Sequence, residues 1–238
     1  MDIKTDHNIP PDAHSNTAIT TLTDRVFQTL SREIVEGIIP AGSKISEPEL
    51  SRRLNVSRAS LREAISRLES CNLVTRKANV GARVAELSSE QLIEIYHIRE
   101  ALEGMAARQA AENMSESEVQ GLKALLKQHT DDFEKADGTA YFQKDGDLDF
   151  HFRIVQGSHN ERLIRLLCND LYHQVRMYRY QLGMTSRRAG PALKEHSLIV
   201  DAIADGDGEM AELLMRRHVR ASRLNIERLF DQEQVVNK

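Results

Sequence analysis

The segment from Ser46 to Asn72, SEPELSRRLNVSRASLREAISRLESCN, constrains the fold more than any other part of the chain. Ser46 and Glu49 have the spacing of a capping box, in which a hydroxyl and a carboxylate satisfy amides that a helix start leaves unpaired. A first short helix therefore begins there. Asn55, inside Leu54-Asn55-Val56, tolerates the left-handed backbone of a sharp turn, and Ser57 supplies the cap of a second helix. Leu61, Ala64, Ile65 and Leu68 recur at helical spacing, so one stripe of that second helix packs inward. Arg58 and Arg62 flank its other face, with Ala59, Glu63 and Ser66 between them. A helix that is apolar behind, small or polar at its tip and armed with guanidinium groups is built to enter a DNA major groove. The competing interpretation is a solvated helix whose arginines only balance Glu63 and Glu69.

Charge favours the first interpretation. The 238-residue chain carries a net charge of −4, an average that hides a strong partition. Between Arg52 and Arg83, eight basic residues (Arg52, Arg53, Arg58, Arg62, Arg67, Arg76, Lys77, Arg83) face only Glu63 and Glu69, whereas from Leu87 onward the balance is −5. A basic stripe attracts a duplex, and an acidic remainder discourages wrong docking. No apolar run approaches the ~20 residues of a membrane span, and the polar N-terminus lacks the character of a signal peptide. A cytoplasmic protein is expected. The two cysteines, Cys71 and Cys168, lie far apart in helical patterns and encode neither a disulfide framework nor a cysteine zinc cluster.

Residues 1–20 are polar, aperiodic and contain Pro10-Pro11, as a flexible arm would. From Thr23 to Glu36 the apolar positions Val26, Leu30 and Ile34 predict a helix ended by Gly37, and Pro40 and Gly42 break the connection to Ser46. Leu73–Arg76 and Ala82–Ala85 are β-prone runs around Lys77-Ala78-Asn79-Val80-Gly81, a hairpin with Lys77, Asn79 and Gly81 placed to touch DNA. This is the wing of a winged helix-turn-helix spanning residues 21–86. Gly37-x-x-x-x-Gly42-x-x-Ile45, Glu49-Leu50, Val56-Ser57-Arg58-x-x-x-Arg62-Glu63-Ala64 and Gly81-Ala82-Arg83-Val84 resemble the N-terminal domain of GntR-family bacterial transcription regulators. The resemblance implies DNA contacts from Ser57, Arg58, Ser60, Arg62 and Gly81. Some members of that family place an arginine where this chain has Pro48, so that contact is missing.

Ser88 and Gln91 form a second capping-box pattern and open a domain over residues 87–231, followed by a tail at 232–238. Six helices are predicted, about Glu90–Glu112, Glu116–Lys135, Thr139–Gln156, Glu161–Leu182, Ala192–Ala204 and Gly208–Phe230. The fold class is thus mainly α: three helices and a β-hairpin wing joined to an antiparallel all-α six-helix bundle. Arg99 interrupts the apolar stripe Leu92, Ile95, Leu102, Ala106 and must meet a carboxylate, either of a ligand or of a bundle glutamate. Asp147 and His151 lie one turn apart, a spacing that lets both grip one divalent ion. His196 and His218 each sit on the apolar stripe of a later helix. Spacing alone leaves open whether these are metal ligands or hydrogen-bonded core histidines.

Arg99-x-x-x-Glu103, Asp147-x-x-Phe150-His151, Gly157-x-x-Asn160, His196 and His218 resemble the C-terminal effector domain of the FadR subfamily, and the helix count is closer to its VanR-like branch. The resemblance implies that Asp147, His151, His196 and His218 hold a divalent metal, zinc first and nickel or manganese as alternatives. It also implies an effector carboxylate on that ion, gripped by Arg99. Arg153, Arg176, Tyr178 and Tyr180 are secondary effector candidates. Glu94 to Ala106 and Lys44 to Leu50 are similar to regulators of propionate breakdown by the methylcitrate route, which suggests a methylcitrate-like tricarboxylate.

The expected protein is a homodimeric, ligand-responsive repressor of a short palindromic operator, its readers repositioned through the Glu86–Ser89 linker, and not an enzyme. Two rivals remain: a metal-dependent hydrolase with a His3Asp site, and a DNA-binding protein whose bundle only dimerises.

Overall fold

The computed structural model describes residues 21–77, 81–86, 88–135, 146–181 and 188–236, with backbone alone at 77, 146–149, 181 and 229–236. Helix α1 (Leu22–Val35) starts on a true capping box. The Thr21 hydroxyl accepts the Asp24 amide at 3.1 Å, and the Asp24 carboxylate accepts the Thr21 amide at 2.9 Å. Val26, Leu30 and Ile34 are buried along one face, as their spacing predicts. Gly37 then takes φ 74°, a left-handed turn in which glycine avoids the Cβ penalty.

Helices α2 (Glu47–Leu54) and α3 (Arg58–Ser70) form the helix-turn-helix. Asn55 makes the turn between them at φ 51° and ψ 49°, and the Ser57 hydroxyl accepts the Ser60 amide at 3.1 Å. The expected capping box at Ser46 does not form, because Ser46 makes no side-chain cap bond. Pro48 occupies the first turn instead, where its missing N–H costs nothing and its fixed φ suits a helix.

Strands β1 (Val74–Lys77) and β2 (Gly81–Val84) pair antiparallel, Val74 with Val84 and Lys77 with Gly81. The chain before α2 adds a short third edge: Ile45 N–H donates to Ala82 O at 2.9 Å and Val84 N–H to Ser43 O at 2.9 Å. Leu61, Ala64, Ile65 and Leu68 of α3 are fully buried against Leu30 and Ile34, with Leu73 and Val84 closing the core.

The second domain contains α4 (Ser89–Asn113), α5 (Glu116–Lys135), α6 (Gly146–Gly157), α7 (Glu161–Ile164), α8 (Tyr172–Gln181), α9 (Ala189–Ala204) and α10 (Gly208–Val236). A π-helical turn, Arg165–Leu171, joins α7 to α8 without a break, so the predicted fourth helix is present but is locally underwound. The predicted start of the third helix at Thr139 lies outside the described residues. Helix α4 is the central member and packs along α10, α6 and α9. At the α4–α10 crossing the glycine Gly104 leaves room for the Arg216 stem, whose Cγ would lie 2.5 Å from any Cβ placed there.

The two domains are in contact. His173 of α8 meets the Phe27 ring edge-on at 5.8 Å, and Met177, one turn further on, is buried in the winged domain's core. Cys71, at the end of α3, donates its thiol to Asn169 O in the π turn at 3.3 Å. The Tyr178 hydroxyl accepts the Ser88 amide and donates to the Ser88 carbonyl, both at 3.0 Å, holding the residue that caps α4.

Candidate functional site

Helix α3 turns Arg58 and Arg62 to solvent. Arg62 Nε donates to Glu47 Oε2 at 2.8 Å, and Arg76 of β1 approaches the same carboxylate at 3.8 Å. Glu47 thereby ties recognition helix, first helix and wing strand together, while the Arg62 side chain stays 67% exposed. An exposed pair of this kind adds little stability but restricts where the guanidinium points. The hydroxyls of Ser57 and Ser60 lie 3.0 Å apart at the start of α3, with Ser57 already engaged as cap. Gly81 holds φ 90°, which other residues adopt only with strain. Asn79 lies outside the described residues, and of Lys77 only the backbone is described, as the last residue of β1.

The second site is built by three helices of the bundle. His151 of α6, His196 of α9 and His218 of α10 are all buried, and their Nε2 atoms converge. His218 Nε2 lies 3.2 Å from His151 Nε2 and 3.3 Å from His196 Nε2. Phe150 stacks on the His196 ring at 3.8 Å, fixing its plane. Each of two rings has a carboxylate behind it. His218 Nδ1 meets Glu195 Oε2 at 2.7 Å, and His151 Nδ1 lies 2.5 Å from Glu103 Oε2. A nitrogen facing a carboxylate carries the proton, so both Nε2 lone pairs point at one another unless a cation or an extra proton lies between them.

Arg99 stands behind Glu103. Its Nε donates to Glu103 Oε1 at 2.6 Å with both side chains only 1% exposed, and its Nη1 has no hydrogen-bond partner among the described residues. The guanidinium also lies over the Tyr96 ring at 4.7 Å and near Tyr172 at 5.8 Å. Burial alone would raise the Glu103 carboxyl. Arg99 and then His151 outweigh it and hold Glu103 below the ordinary carboxylate range. Burial, and then the Glu103 charge, push the Tyr172 hydroxyl well above its usual value and the Cys168 thiol up to about 12. Both groups are neutral members of this enclosure.

Comparison with known proteins follows the same division of the chain. Residues 22–84 match the family described as bacterial regulatory proteins, gntR family, and residues 94–221 match the FCD domain. The chain belongs to the GntR family, in its FCD-containing form. It is 31% identical over 204 residues to a protein of Paenarthrobacter nicotinovorans named as a probable D-xylose utilization operon transcriptional repressor, covering 85% of this chain and 87% of that one. It is 30% identical to the transcriptional repressor RspR of Escherichia coli K12, covering 82% and 85%. Among solved structures, Escherichia coli McbR/YncC superposes with a TM-score of 0.72 at 22% identity over 88% of this chain and 99% of that one, a likeness of fold.

This GntR-family chain is therefore a DNA-binding transcription regulator and not an enzyme. Of the metal residues expected from sequence, the structure brings the three histidines together; Asp147 sits on α6 one turn before His151, its side chain outside the described residues. Arg99 is buried beside the histidines but paired to Glu103, the internal ion pair that sequence left open. Of the secondary candidates, Arg153 is exposed, Arg176 is half-buried on α8, Tyr180 is exposed at 41%, and Tyr178 is engaged with Ser88 rather than with the histidines. Sequence reading missed Glu195, Arg188 and Tyr172. Glu195 directly precedes His196 but serves His218 from another helix, a pairing that no helical spacing encodes.

Proposed function

We propose that this GntR-family regulator is a homodimeric repressor that holds a divalent metal between His151, His196 and His218 and senses a small carboxylate at that centre. The observation carrying this reading is the Nε2 geometry. Two nitrogens on one tetrahedral zinc at about 2.0–2.1 Å are separated by about 3.3 Å, and the two distances at His218 are 3.2 and 3.3 Å. Asp147, one helical turn before His151, is the expected fourth ligand. An ion held by neutral imidazoles keeps its positive charge and attracts carboxylate oxygens. Arg99 Nη1, buried and without an acceptor among the described residues, supplies the second attachment point. Zinc suits this donor set best, and a tricarboxylate of the methylcitrate type would use both points.

Two relatives named as repressors support that sign of regulation. For dimerisation, α4 and α10 lie side by side and expose Ile98 and Met105 on one and Met210, Leu213 and Leu224 on the other, an apolar face suited to a two-fold partner. Such a dimer presents two copies of α3 to the half-sites of a palindrome.

The reading is tested by thermal denaturation of the metal-loaded protein against a panel of di- and tricarboxylates, with and without chelator. At least one acid is expected to raise the melting temperature, to lose that effect with the metal, and to change operator affinity at fixed salt. A protein that retains no zinc after dialysis from zinc-containing buffer would end this proposal. Response at the operator needs a mechanical link, and α8 supplies one. Tyr172, at its start, lies beside Arg99, whereas His173, Met177 and Tyr178 hold the winged domain and Ser88. Tyr178→Phe removes both bonds to Ser88. It is expected to leave effector affinity of the DNA-free protein near wild type and to weaken the effector's influence on operator binding, measured as the ratio of operator Kd with and without effector. An unchanged ratio would mean that the clasp plays no part in the coupling.

A further inference from the structure

Behind the converging nitrogens the bundle repeats one arrangement twice. On one side Arg99 holds Glu103, which faces His151 Nδ1; on the other Arg188 holds Glu195, which faces His218 Nδ1. The outer set is the better aligned. Arg188 Nη2 and Nη1 donate to Glu195 Oε2 at 2.7 and 3.1 Å, and Nη2 reaches the His218 carbonyl at 3.3 Å, so one guanidinium fixes the carboxylate and the backbone of the histidine it serves. We infer that Glu195, locked by Arg188, is a positioning residue for the three-histidine centre: it fixes the proton of His218 on Nδ1 and aims Nε2 at the metal. This rests on the metal-binding reading above.

The physical reason is the two-sidedness of imidazole. A neutral ring has one N–H and one lone pair, and the hydrogen bond made by one nitrogen decides which tautomer the other presents. With Glu195 accepting from Nδ1, the lone pair on Nε2 is the one available to an ion, and the ring is already turned toward His151 and His196. Carboxylates in this role raise ligand basicity, and their loss typically weakens metal binding roughly 10- to 100-fold. The two sets differ in exposure: Glu103 is sealed in the core, whereas the Glu195 side chain is 35% exposed. Replacing Glu195 leaves Arg188, which is 12% exposed and still bonded to the His218 carbonyl, whereas replacing Glu103 would strand an arginine only 1% exposed; Arg99 keeps Glu103 while its Nη1 remains for an effector.

The test measures zinc affinity of the full-length protein by competition with a chromophoric chelator, for wild type, Glu195→Ala and Glu195→Gln, together with the visible spectrum of the cobalt-loaded forms and the melting temperature of the metal-free forms. Glu195→Ala is expected to lose roughly 10- to 100-fold in affinity and to alter the cobalt spectrum. Glu195→Gln, which keeps an acceptor but not the charge, should fall between. A purely structural residue would lower the metal-free melting temperature and leave affinity and spectrum unchanged, and that result overturns the inference. If Glu195→Ala does not fold, Glu195→Gln decides alone by the same two readouts. Failure of the metal reading itself is distinguishable: wild type would then bind no more zinc than His196→Ala.

Discussion

Arg62→Ala is expected to lower operator affinity on the order of 10- to 100-fold while leaving the melting temperature near that of wild type. Arg62 is two-thirds exposed on the outward face of α3, and its only described ion pair is with Glu47, so removing it opens no cavity in a core made by Leu61, Ala64, Ile65 and Leu68. What is lost is a guanidinium on the exposed face of α3. Fluorescence anisotropy with a selected operator at several salt concentrations checks the result and its cause. Loss of a phosphate contact would weaken all sequences alike and reduce the salt dependence by about one counterion, whereas loss of a guanine contact would relax preference at one position. Equal affinity of variant and wild type would remove Arg62 from the interface. Arg58, exposed one turn earlier on α3, should behave in the same direction.

The second large effect concerns the histidine centre. Zinc-loaded wild type is expected to lose on the order of 10 °C in melting temperature when chelator is added, because an ion present at 100 to 1,000 times its Kd contributes about 3–4 kcal/mol to the folded state. His196→Ala should melt low from the outset and respond little to chelator. The difference between the two chelator responses is the informative quantity, since His196 also stacks on Phe150 and its truncation costs packing whether or not an ion binds. Equal chelator responses would show that His196 is no ligand and that the cluster is core structure.

The winged domain was legible because its determinants are local. The buried stripe of α3 follows the helical period, Asn55 takes the left-handed turn its side chain tolerates, and Ser57 caps as its position suggests. Local rules also misplaced one cap. Ser46 and Glu49 have the right spacing, yet it is Thr21 and Asp24 that form the reciprocal box. Helix termini compete for several satisfactory arrangements of similar energy, and the tertiary setting selects among them. In the bundle the stripes of α4, α9 and α10 announced Arg99, His196 and His218 as buried polar residues. They did not announce which carboxylate each would meet.

Residue order alone specified a basic reader joined to an acidic helical bundle, the wing between them, and three histidines with an arginine turned inward. These rest on periodicity, capping and charge, which act within a few residues. Helix packing was needed to show that Arg99 belongs to Glu103, that Glu195 stands behind His218, that Tyr178 holds Ser88 rather than facing the histidines, and that α8 carries the winged domain. Each of those is a pairing across helices, set by how the bundle packs, and a buried charge takes whichever opposite partner that packing brings within reach.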